Sequence, residues 1–257
     1  MNSNHAAPAA IALPKPNIVI ISENIVIITT GKQTAFQEEA QTITHEIWDT
    51  GSSAEVMFQM LWEYAGLCPG NICKLGPHLR LFAAWCARRT SHLLTDRKSH
   101  HAIQTAERFA TAAASCSVMH EARIAAEAVV IQIAATPENL MSNAGTSPSP
   151  NQLTNQTRKN IDTTATRKAA ILNAASAAAT CCLTYKPIAP LKAADLCAKY
   201  ARQALYWEAL TNGSDVVLIT ELLEEEELRQ SHTLRVLLGN PFDHHKSPAM
   251  FLPASNL

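Results

Sequence analysis

Between His78 and Arg108 the chain gathers side chains that could do chemistry. There are four histidines (His78, His92, His100, His101), Cys86, and six cations (Arg80, Arg88, Arg89, Arg97, Lys98, Arg108) against two acids, Asp96 and Glu107. Two histidines that share a metal on a helix stand one turn apart, at i and i+4, often with a glutamate between them. His100 and His101 are adjacent, and His92 lies eight residues before His100 across a predicted turn, so no pair fits. A metal-dependent hydrolase using His92, His100 or His101 with Glu107 stands as the second reading. It requires three ligand-type side chains to converge in one pocket. Nucleophilic catalysis is less favoured: no G-x-S-x-G elbow exists, and no glycine-rich turn sits beside a Ser or Cys to form an oxyanion hole. Cys86 falls on an apolar helical stripe, where a thiol acts as a small hydrophobe.

The other chemical motifs are incomplete. Cys68 and Cys73 are spaced C-x4-C but lack the second Cys/His pair of a structural zinc site. Gly31-Lys32-Gln33-Thr34 has no glycine upstream and places Gln where a phosphate loop needs Ser or Thr. Asp243-His244-His245 lies in a tail too loose to hold a catalytic geometry. The sequence therefore predicts no catalytic residue, no metal ligand set and no cofactor.

The elements that must position these residues read as helices. Leu79, Phe82, Cys86, Arg89 and Leu93 recur at three and four residues, with Leu81, Trp85 and His92 widening the stripe. Thr95 or Asp96 can cap a second helix through Ile103, Ala106 and Ala110, because a short side-chain oxygen accepts an unpaired amide of the first turn. The pair is a helical hairpin with an apolar and a basic face. From 78 to 108 it carries a net +4, whereas the block from 221 to 229 (five acids, one arginine) carries −4. Packing of the two would set Arg88 or Arg89 against the acids.

Composition agrees. Apolar residues are 47%, but aromatics only 5%, and 161–204 holds fourteen alanines, so the core must rest on closely approached helices. A net charge of −1 gives no global attraction to nucleic acid or anionic membrane. Seven irregularly spaced cysteines without an export signal read as reduced thiols of a cytoplasmic protein. No apolar run reaches the roughly 20 residues that span a bilayer.

In chain order, 1–16 reads as a disordered tail. Residues 17–136 form a β-hairpin (NIVII and IVII around Ser22-Glu23-Asn24) followed by helices that include the basic hairpin. The Ser/Asn/Thr/Pro-rich 137–160 reads as a flexible linker, 161–242 as alanine-rich helices packing back on the first part, and 243–257 as a flexible tail. Ser52 or Ser53 can cap the helix bearing Val56, Met57, Met60, Leu61 and Tyr64. A helix from about Met119 carries Ile124, Ala128 and Ile131 as its apolar row. Ser214 or Asp215 can cap the last helix, with Val217, Leu218, Leu222, Leu228, Leu234 and Leu237 as its apolar contacts.

Two segments resemble an uncharacterised α-helical family common in planctomycete bacteria. LRLFAAWCARRTSHLLTDRKSHHAIQTAERFA (79–110) is similar to its (K/R)LRLFAxxCCRRxxHLLxDxRSxxAVExAERYA segment, and TLRVLLGNPF (233–242) to its LLRDIFGNPF close. The chain departs at Ala87, where that family has a second cysteine. The resemblance implies a helical fold and a single 79–242 unit, and carries no activity.

The expected architecture is mainly α: a bundle of about seven or eight helices with a small N-terminal β-hairpin. Trp85 and Phe82 are structural, and Gly239-Asn240-Pro241-Phe242 folds back as a plug with Phe242 near Trp85. The expected function is a non-enzymatic interaction or adaptor module presenting Arg80, Arg88, Arg89, His92, Arg97 and Lys98 to an acidic protein partner. Nucleic acid is a third reading, disfavoured by the missing aromatic platform. A membrane partner is not expected.

Overall fold

The computed structural model describes residues 46–51, 53–67, 69–136, 155–184 and 188–242, and two short strands, Asn17–Ile21 and Asn24–Ile28, whose side chains lie outside the description. The tails read at 1–16 and 243–257, residues 137–154 of the linker and the packing of the N-terminal hairpin all lie outside the described residues.

Among the described residues the fold is mainly α-helical. After a helical stretch at 46–50 come α1 (Ala54–Leu67), α2 (Pro69–Lys74), α3 (Gly76–Arg89), a 3-10 turn (Ser91–Leu93), α4 (Arg97–Ala110), α5 (Cys116–Ala135), α6 (Asn155–Thr180), α7 (Ala189–Thr211) and α8 (Val216–Leu238). Helix α6 begins at Asn155, inside the stretch read as linker.

Short side chains set the helix starts. Asp96 accepts the Ser99 amide at 2.7 Å, Asp215 the Leu218 amide at 2.8 Å and Ser115 the Val118 amide at 3.4 Å, each covering a donor with no partner inside its helix. Pro77 opens α3 and Pro190 opens α7, where a missing N–H costs nothing.

Helix α3 is the centre, touching α2, α4, α6, α7 and α8. Its Leu79, Phe82 and Cys86 are fully buried, as their spacing predicts. The most extensive contact joins α6, with Ala174, Ala175, Ala177 and Ala178 buried, to α7, with Ala194, Ala198 and Ala201 buried. Small side chains let the two backbones approach, which compensates for the little area each alanine buries.

Two stripes fall differently from expectation. On α5 the buried row is Met119, Ala122, Ala126 and Val129, while Ile124 and Ile131 are 51% and 69% exposed. This helix carries apolar rows on two opposite sides, so periodicity alone does not choose the inward face. The smaller row wins, between α4 and α6. On α8, Val217, Leu218 and Leu228 face solvent, and the inner face carries Ile219, Glu226, Gln230, Leu234 and Leu238.

The end of α8 clasps the 46–50 stretch. Trp48, fully buried, donates from Nε1 to the Gly239 carbonyl at 2.7 Å, and Arg235 Nε donates to the Trp48 carbonyl at 2.7 Å. Asn240 Nδ2 donates to Asp49 at 3.0 Å. Gly239 has φ +63° and ψ −149°, a conformation open essentially to glycine alone. It turns the chain so that Phe242 lies edge-on to Trp48 (5.5 Å) and Tyr64 (5.3 Å). The plug therefore seats on Trp48 and Tyr64 rather than on Trp85. Trp85 instead stacks on Phe82 at 5.9 Å.

Candidate functional site

Each polar residue of the 79–93 segment reaches a different element. Arg80 is 8% exposed; its Nη1 donates to the Leu183 carbonyl at 2.6 Å and its guanidinium lies 5.0 Å from the Phe109 ring. Burial lowers its pKa from the ordinary arginine value. Arg88 forms a two-point pair with Glu107 on α4 (2.8 and 2.6 Å), and the hydrogen bond raises its pKa. Arg89 reaches Glu226 on α8 through Nε (3.1 Å) and Nη2 (2.8 Å), over the Trp85 ring. His92, exposed, meets Glu208 on α7 at 2.9 Å.

The proposed basic face is therefore largely engaged inside the molecule. Arg80 and Arg89 tie α3 to the end of α6 and to α8, Arg88 ties it to α4, and Arg108 donates to the Ala113 carbonyl. Arg97 and Lys98 stand exposed without an ion pair among the described residues. Packing of the hairpin against the acidic block follows the expectation, with Arg89 as the residue that makes it.

The carboxylate that Arg89 meets is 1% exposed, whereas Arg89 keeps 32%. Gln230 Nε2 donates both to Glu226 Oε1 (3.3 Å) and to the Ala198 carbonyl (3.2 Å), joining the pair to α7. These contacts explain why two polar residues occupy the inner face of α8. Next to them, Arg202 pairs with Glu227 at 3.3 Å, and Ser53 Oγ donates to Glu227 at 2.7 Å. An open cleft of about 350 Å³ lies here, lined by Glu55, Lys199, Arg202, Gln203, Tyr206, Leu223 and Glu227. Lys199 is itself paired with Asp195 (3.0 Å).

The histidines do not converge. His100 Nε2 contacts the Leu94 carbonyl (3.1 Å), His101 contacts Thr105 (3.4 Å), and Glu107 holds Arg88. Among the described residues no group of three His, Cys, Asp or Glu could hold a metal ion. The buried thiols serve as donors to helix carbonyls: Cys181 to Ala178, Cys182 to Ala102 and Cys197 to Ala177. Burial pushes the Cys86 and Cys197 thiols well up, and a hydrogen bond with Cys182, then burial, does the same for Cys181. Thiols held in that form are poor nucleophiles.

Large apolar side chains also remain outside. Besides Ile124 and Ile131, α8 exposes Val216, Val217, Leu218, Leu228 and Val236. Sequence reasoning assigned several of these to the core; the signal that could have corrected it is their interleaving with Glu221, Glu224 and Glu225 on one helical face.

The described residues are thus mainly α-helical, with no helix among them long and apolar enough to cross a membrane. Comparison of the chain with protein-family models, curated proteins and solved structures finds no match.

Proposed function

We propose that the protein is a non-enzymatic helical interaction module. The observation that supports this reading is the exposure of large apolar side chains along α5 and α8, while the polar residues of the 79–93 segment serve the bundle. Exposed apolar side chains that gather into a patch mark interaction surfaces on a soluble domain. The acidic-partner form of the reading retains Arg97 and Lys98 as its exposed cations, with the exposed His92 held by Glu208. The relation to the planctomycete family belongs to the same proposal, since a segment that holds a bundle together serves any module built on it.

Native mass spectrometry of the chain purified from its own cells, with metal analysis on the same sample, tests the reading. The expected result is a metal-free chain carrying a protein partner at fixed stoichiometry. A stoichiometric metal, or a chain that retains no partner, would contradict it.

A further inference from the structure

We infer that the outer face of α8 docks a basic amphipathic helix of a partner protein, an inference that rests on the interaction-module reading. In a helix of 3.6 residues per turn, Val217, Glu221, Glu224 and Leu228 (spaced four, three and four) form one continuous row opposite the buried Ile219 and Gln230. Leu218, Glu225 and Val236 flank it. Val217, Leu218, Leu228 and Val236 are all more than half exposed.

The charges decide the occupant. Of the five acids in the block, Glu226 is taken by Arg89, Glu227 by Arg202 and Ser53, and Glu225 by Arg229 within the helix. Glu221 and Glu224 stand exposed between the apolar ends of the row, with no ion pair among the described residues. A helix that lays an apolar stripe along such a face and flanks it with Lys or Arg satisfies both the apolar and the acidic positions. An acidic helix would set like charges together. The exposed row on α5 (Glu121, Ile124, Ala128, Ile131) carries one acid rather than two, and so offers a basic helix less.

The test uses three fluorescein-labelled peptides of about 20 residues: one with leucines at the matching spacing and lysines beside them, a scramble of the same composition, and a version with glutamate for every lysine. Anisotropy titration with the full chain is expected to show binding of the first peptide at least tenfold tighter than of the other two. Leu228→Ser should weaken it about tenfold, and Glu221→Gln/Glu224→Gln should weaken it and flatten its salt dependence. Ile124→Ser/Ile131→Ser should leave it unchanged, as should thermal melting of all three variants. Equal binding of scramble and designed peptide, indifference to Leu228→Ser, or a dimer in sedimentation that Leu228→Ser dissolves would each overturn the inference. If a partner co-purifies with the wild type and with Leu228→Ser but is lost from Ile124→Ser/Ile131→Ser, the module reading stands and the α8 site falls.

Discussion

Arg89→Met is expected to lower the unfolding free energy by about 3 kcal/mol, at the lower end of the range for breaking a buried ion pair. The change leaves Glu226, 1% exposed, with only the Gln230 amide to meet its charge among the described residues. Glu226→Leu should cost less, about 1–2 kcal/mol. Arg89 is 32% exposed and can turn its guanidinium to water once its partner is gone. The double variant Arg89→Met/Glu226→Leu removes both desolvation costs and should recover most of the loss. Urea denaturation of the four proteins checks the order. Equal costs for both single variants, or no recovery in the double, would mean that the pair is not what joins α3 to α8.

Trp48→Ala should be more damaging, about 3–5 kcal/mol, as for other large aromatic truncations in a core. Trp48 is fully buried, and it links the N-terminal side of the bundle to the end of α8 through Gly239, Arg235 and Phe242. Its removal leaves a cavity and also strands the Gly239 carbonyl. Phe242→Ala should cost less, because that ring is only half-buried and Trp48 keeps its hydrogen bond. Gly239→Ala should behave like Trp48→Ala in direction, since the backbone conformation there excludes a side chain. Thermal unfolding followed by circular dichroism compares the three. A Trp48→Ala protein with an unchanged midpoint would show that the clasp does not contribute to stability.

Much of the fold was legible because local chemistry and packing agree in this chain. Asp96, Ser53 and Asp215 sit where capping oxygens were expected, and the 79–86 stripe is buried because its apolar residues recur every three or four positions. The alanine-rich stretch packs closely because small side chains leave little alternative. The α5 face was not legible: a helix with apolar rows on two sides offers two competing stripes, and only the approach of α4 and α6 distinguishes them. The role of Arg80, Arg88 and Arg89 was hidden for a related reason. Local sequence shows a cluster of charge, but the partners are the Leu183 carbonyl, Glu107 and Glu226, up to 137 residues away. The sequence places Phe242 near Trp85 because the two segments that resemble the planctomycete family are expected to pack together, whereas the turn at Gly239 sends it to Trp48 and Tyr64.

The central claim is that the arginines of the α3 segment hold the bundle, and charge-preserving substitution tests it most directly. Lysine keeps the positive charge but loses the planar, multi-donor geometry that a carbonyl or a two-point carboxylate contact uses. Equilibrium unfolding of Arg80→Lys, Arg89→Lys and Arg97→Lys should show clear loss for the first two, about 1–3 kcal/mol each, and none for Arg97→Lys. If all three unfold with the wild-type midpoint, these side chains are a free basic face and the structural account of the segment is wrong.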